Sequence, residues 1–221
     1  MIPRQSAVGA IAGTAVSAGA LTYAQVALPT QTLLSDYALV SGGLVPVLIG
    51  MLALAGACLS LAYGLAAGDP VRTAATRVLL LAGAAGLMMS AIFPTDPSTV
   101  GSITGEIHRW SAAVVFTSLP VAGWALARGR AAAPRWNAVR AMSVTSAATL
   151  AVYLAAHPAS ITSALIGGSA YYGLLERGVV LAEMALLTAM ALASAGRRPA
   201  VQTPAAPAEP QRSERSERLA A

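Results

Sequence analysis

The sequence predicts an all-α membrane protein, a bundle of six transmembrane helices, and three observations carry that prediction. Of 221 residues, 56% are hydrophobic and only 10% are charged, with a mean hydropathy of +0.66. A soluble domain carries about 25% charged residues, so too few polar side chains are present to clothe a water-facing surface, and lipid must solvate much of the chain. The apolar residues come in six runs long enough, or nearly so, to cross the roughly 30 Å hydrocarbon core at about 1.5 Å per residue. None of the runs alternates with period two, so helices rather than barrel strands are expected.

The first span is expected over 6–28. It is rich in Ala, Gly, Ser and Thr, and Ala18 and Ala20 would suit a signal-peptidase site. Its length, and the small-xxx-small spacing of "GAIAG" (Gly9 to Gly13), favour a retained, closely packed helix. The second span, 44–67, ends on the same spacing in "GLAAG" (Gly64 to Gly68). The third, 78–93, is short, bounded by Arg77 and by "FPTDP", whose prolines cannot continue a helix. Spans over 110–127, 139–156 and 178–195 complete the set. Residues 1–196 form the membrane domain, and the Pro-, Ala- and charge-rich segment 197–221 is expected to be disordered.

All fourteen basic residues are Arg. Twelve fall before span 1, between spans 2 and 3, between spans 4 and 5, or after span 6; only Arg109 and Arg177 fall on the other side. The positive-inside rule then puts both termini in the cytoplasm, with a bacterial inner membrane as the expected location. The basic pI reflects cytoplasmic loops and gives no reason to expect a nucleic-acid partner. Trp124 and Trp136 near the arginine-rich loop, and Trp110, Tyr153, Tyr171 and Tyr172 opposite, are expected to form two interfacial belts. Cys58, the single cysteine, has no disulfide partner in the chain and reads as a small buried hydrophobe.

The outward connections gather the chemistry. They hold Asp36, Asp96, Glu106, His108, Arg109, His157, Glu176 and Arg177, and Glu183 follows inside span 6. Counted from a helix boundary near Arg177, Glu183 lies about 9 Å inside the core. It shares a helix face with Glu176, seven residues earlier. A buried Glu and two histidines go beyond what interface anchors need, and ionisable groups within membranes mark working sites by default. Helix-end charges and ion pairs remain the plain alternative for each residue taken alone.

"LLSDYAL" (33–39), "FPTDP" followed by "GEIHRW" (105–110), and "GLLERGVVLAEM" (173–184) together resemble the domain-of-unknown-function family 998 of bacterial membrane proteins, common in actinobacteria. The resemblance implies a six-helix membrane fold without an assigned activity, and makes Asp36, Asp96, His108, Glu176 and Arg177 its motif positions. His157 and Glu183 stand on position alone.

Several functions follow from these residues. In the leading one, an outer-leaflet pocket binds a lipid or isoprenoid amphiphile in an accessory role, with Arg109, Arg177, Asp36, His108, Tyr171 and Tyr172 as ligand-binding residues and guanidinium groups on an anionic headgroup. An intramembrane enzyme is the alternative, with Glu176, Asp96, Asp36, His108 and Glu183 as catalytic candidates. It would be either an acid-catalysed cyclase using Glu183 or a hydrolase with metal held by His108 and His157. The metal version lacks any recognisable ligand spacing, so no metal is assigned, and cofactors are unknown. A proton-coupled transporter is a further reading, set back by the absence of midplane charges on several spans. Membrane lipids are the expected partners, and the oligomeric state is not encoded legibly. No nucleotide-binding or nucleophile-elbow motif is present.

Overall fold

The computed structural model describes residues 2–97 and 101–195. It contains α1 (Arg4–Ala27), α2 (Leu44–Gly68), α3 (Ala74–Ile92), α4 (Ile103–Ala127), α5 (Pro134–Ala156), the short α6 (Ile161–Ile166) and α7 (Tyr172–Ser194), with a 3-10 turn at Ser35–Leu39 and another at Gly168–Ala170. There is no strand among the described residues. All the helices except α6 are long and apolar enough to cross a membrane, which makes six spans. The segment 197–221 expected to be disordered lies outside the described residues.

Each long helix packs on the next, and α7 closes the ring by packing on α5, α1 and α4. The amide of Ile2 donates to the carbonyl of Ser194 (3.2 Å), so the start of α1 and the end of α7 share one end of the bundle. That end carries Arg4, Arg72, Arg77, Arg128, Arg130, Arg135 and Arg140. The other end carries Asp36, Asp96, Glu106 and Glu176, while Asp69 stays among the arginines.

The small residues of α1 serve close packing. A Cβ at Gly13 would stand 2.7 Å from the Ala53 carbonyl oxygen of α2, and one at Gly64 would crowd Ser6 of α1. Gly9 and Gly13 of "GAIAG" and Gly64 of "GLAAG" thus all lie on the α1–α2 seam, at different heights, although Gly68 itself is exposed. Leu61, Leu80, Leu119, Val139, Leu186 and Met190, all fully buried, centre the core. Pro120 lies buried inside α4, where it removes the bond its N–H would have made to the Phe116 carbonyl.

Three helices start five or more residues earlier than their apolar runs suggest. Pro134 fills the first turn of α5, a position where its missing N–H costs nothing. α4 begins at Ile103, capped by the Ser102 hydroxyl, and α7 at Tyr172. Glu106, His108, Arg109, Glu176 and Arg177 are therefore helical, not parts of connections. Glu183 moves most: it is eleven residues from each end of α7, about 16 Å from either, at the middle of the span rather than 9 Å inside it.

The aromatic belts are also narrower than expected. Trp110 and Tyr171 are exposed, as is half of Trp124. Trp136 is buried beneath the guanidinium groups of Arg130 and Arg135. Tyr153 and Tyr172 turn inward and stack on each other.

Candidate functional site

The acid-bearing end is built on hydrogen bonds between side chains and distant backbone. The connection after α1 crosses the first turns of α7. There the carboxylate of Glu176, itself buried, accepts from the Leu34 amide (2.6 Å). Arg177 donates through Nη1 to the carbonyls of Thr32 (2.7 Å) and Gly173 (2.7 Å), and through Nη2 to that of Gln31 (3.0 Å). Gly173 allows the approach, because a Cβ there would run into the Thr32 carbonyl. Glu176 and Arg177 therefore fasten one connection from both sides, an acceptor for its amide and a donor for its carbonyls.

Asp36 opens the 3-10 turn that follows. Its carboxylate accepts from the Leu33 amide (3.1 Å). Burial pushes the Asp36 carboxyl above the usual carboxylate range, while the Leu33 bond and the charges of His108 and Arg177 oppose that shift. Beneath the turn lies Tyr37, fully buried, in a small core with Ala24, Leu34 and Val47.

His108 ties α4 to the end of α3. Its Nδ1 lies 2.9 Å from the Phe93 carbonyl and 3.2 Å from that of Ser90. Both partners only accept, so Nδ1 carries the proton, and Nε2 is the lone-pair nitrogen whenever the ring is neutral. The ring borders a void of about 10 Å³ shared with Ser35, Ala38, Pro94 and Thr95, room for no more than a single water.

Asp96 completes the start of α4. Its Oδ2 accepts from the Ser102 amide (2.8 Å) and its Oδ1 from the Ser102 hydroxyl (2.6 Å), while that hydroxyl accepts from the Gly105 amide (3.2 Å). The two Ser102 bonds hold the Asp96 carboxyl below its usual range. Gly105 leaves space for it, since a Cβ would collide with the carboxylate. One turn on, Glu106 and Arg109 pair at 2.6 Å on an open surface, both more than half exposed.

On the neighbouring side, the Tyr172 hydroxyl donates to that of Tyr153 (2.6 Å), and the rings stack at 4.6 Å. Phe116 meets the edge of Tyr153 and His157 the edge of Tyr172. His157 accepts the Ala159 amide at Nδ1 (3.1 Å). Among the described residues no group of three or more His, Cys, Asp and Glu is placed to hold a metal ion, so the metal-hydrolase reading of His108 and His157 lacks a ligand set.

The structure thus brings Asp36, Glu176, Arg177 and His108 together, puts Tyr172 beside them, and leaves Asp96 as a cap on α4. Arg109 and Tyr171 lie outward, and Glu183 lies deep in α7, away from the cluster. Sequence reasoning missed Gly105, Gly173 and Tyr153. The glycines carried a signal, since each sits within four residues of a charged motif residue. Tyr153 carried none, because an aromatic residue in an apolar helix looks the same whether it faces lipid or protein.

No curated protein and no solved structure matches the chain. A family model described as "Protein of unknown function (DUF998)" matches residues 6–193, from the first turn of α1 to the last of α7. That span includes every motif position described above, and the chain belongs to this family of membrane-type helical proteins without an assigned activity.

Proposed function

We propose that the protein binds a lipid or isoprenoid amphiphile at the acid-bearing end of the bundle, in an accessory role that breaks no bond. The observation that carries this reading is an open groove of about 580 Å³ along the first turns of α4. Ser102, Glu106 and Ser111 give it polar edges, and Ile103, Ile107 and Trp110 an apolar wall. Ile103 and Trp110 are 81% and 73% exposed, in the first turns of α4. That mixture of a few polar groups on an apolar surface is what an amphiphile needs.

Arg109 is better placed than Arg177 to meet an anionic headgroup. Arg177 is engaged with three carbonyl oxygens, whereas Arg109 holds one exposed carboxylate. An exposed pair of that kind contributes at most about 1 kcal/mol, so a phosphate can take the place of Glu106 on the guanidinium fork at little cost. Tyr171, also exposed, flanks the same end.

Native mass spectrometry of the purified protein, with lipid extraction of the same sample, tests the proposal. A co-purifying amphiphile is expected, retained in Asp69→Asn at the far end and reduced several-fold in Arg109→Ala and Trp110→Ala. Protein that carries no amphiphile, or carries it equally in all four forms, would sink the reading.

A second reading, an acid–base enzyme acting on a lipid, is favoured by one observation only. Two carbonyls fix the His108 tautomer, which readies Nε2 as a base beside the Asp36 turn. It requires the void at His108 to open, and its mark would be turnover of the co-purified amphiphile that disappears in His108→Gln.

A further inference from the structure

Glu183 stands at the middle of α7, 1% exposed, and its Oε1 has no hydrogen-bond partner. Neither ion pair among the described residues involves it. The Cys58 thiol of α2 lies within electrostatic reach. At the same depth α1, α4 and α5 bring only apolar and hydroxyl residues. Packing offers no reason for an acid here, where Val179, Met184, Leu186 and Leu187 are all buried. A bare carboxylate in such surroundings is far costlier than a neutral acid, so the side chain is suited to holding a proton.

Two more unpartnered polar atoms lie on one side of it. The hydroxyls of Ser17 in α1 and Ser146 in α5 are fully buried and also lack partners. Both helices run antiparallel to α7, and their registers are fixed. From the Ile2–Ser194 hydrogen bond, equal steps along α1 and α7 bring Ser17 opposite Val179. From the Tyr153–Tyr172 hydroxyl pair, equal steps along α5 and α7 bring Ser146 opposite the same residue. Both hydroxyls therefore lie about 6 Å from the level of Glu183, between it and Glu176. In the other direction α7 buries Leu186, Leu187, Met190 and Ala191. Among the described residues the next buried hydroxyl without a partner in that direction is Ser194, at the last residue of α7, so the unpartnered hydroxyls nearer to Glu183 lie on its Glu176 side.

We propose that Glu183 is a proton-binding site at mid-bundle, loaded from the acid-bearing end past Glu176, Ser17 and Ser146, and that the protein's working cycle is linked to that proton. The proton is bound reversibly as carboxyl O–H, and no other bond changes. This site is separate from the α4 groove, and its test has a separate readout.

Infrared difference spectroscopy of the full chain in lipid bilayers reads it directly. A carbonyl band of a neutral carboxyl is expected, moved by carboxyl-13C glutamate and absent in Glu183→Gln. It should fade as pH rises, shift on transfer to D2O, and shift more slowly in the Ser17→Ala/Ser146→Ala double variant. Isotope labelling assigns the band to glutamate in the wild-type protein, and its persistence in Glu176→Gln assigns it to Glu183 rather than to buried Glu176, even if Glu183→Gln fails to fold. Absence of a glutamate band, or a band indifferent to both pH and D2O, would overturn the site. An exchange rate unchanged in the double variant would overturn the route. The α4 amphiphile should persist in Glu183→Gln, and the band in Arg109→Ala, so failure of either proposal is seen independently.

Discussion

Glu176 illustrates how a single side chain closes this end of the bundle. The Leu34 amide it receives is buried and belongs to a connection with no regular partner of its own. A buried N–H left without an acceptor costs about 1–3 kcal/mol, and the Glu176 carboxylate removes that cost. Glu176→Gln keeps an acceptor oxygen, whereas Glu176→Ala removes it. Thermal unfolding in detergent should show Gln close to wild type and Ala destabilised by about 1–3 kcal/mol. Equal losses in the two variants would mean that the charge, and not the acceptor, matters. Arg177 works by geometry in the same place: a planar fork spans three carbonyls, and a lysine ammonium lacks that spread. Asp36, Asp96, His108, Glu176 and Arg177 are thus all bound to backbone in this conformation, and Glu176 and Arg177 keep the 28–34 connection fixed on α7.

At the scale of elements, the α1–α2 seam depends on the absence of side chains. Gly13 lets α1 approach the Ala53 carbonyl and Ala57 of α2, and in lipid such close packing, not water exclusion, joins helices. Gly13→Val should cost about 1–3 kcal/mol, the usual range for overpacking. Gly19→Ala, where a Cβ meets nothing within 4 Å, should be neutral or slightly stabilising. Denaturant unfolding of both variants checks the contrast, and equal effects would refute the seam. This spacing was legible in the sequence, as were all six spans, because hydropathy is a property of the residues themselves. The start of α4 was not. Thr104, Glu106, His108 and Arg109 look like a connection, yet the Ser102 cap, backed by Asp96, and an acidic first turn extend the helix through them. α6 was equally hidden. It is one short amphipathic helix that buries Ser163 and exposes Ile161, Leu165 and Ile166, too brief to stand out from its surroundings. The contacts of Arg177 were beyond reach for a different reason: its partners are carbonyls more than a hundred residues away, and a carbonyl has no residue type.

At the scale of the whole molecule, the two ends differ in how they handle charge. At the arginine-rich end, Arg72 donates to the Gly129 carbonyl (2.6 Å), Arg140 to those of Ala127 (3.0 Å) and Arg130 (2.6 Å), and Arg130 lies 3.6 Å from Asp69. Burial and the neighbouring Arg72 push the Arg130 guanidinium below its usual range, with Asp69 opposing. Seven arginines of the described residues share this end and two share the other, the asymmetry that places basic loops in the cytoplasm. The α4 groove and the proposed route to Glu183 both lie toward the opposite end, so orientation decides from which side the proposed lipid and proton would arrive. Single cysteines in a Cys58→Ala background settle it: Ala131→Cys between α4 and α5, and Ala164→Cys on α6, are both exposed positions. With a membrane-impermeant maleimide on intact cells, Ala164→Cys should label and Ala131→Cys should label only after the membrane is opened. The reverse pattern would turn the molecule over, putting the α4 groove in the cytoplasmic leaflet and making the cytoplasm the source of the Glu183 proton.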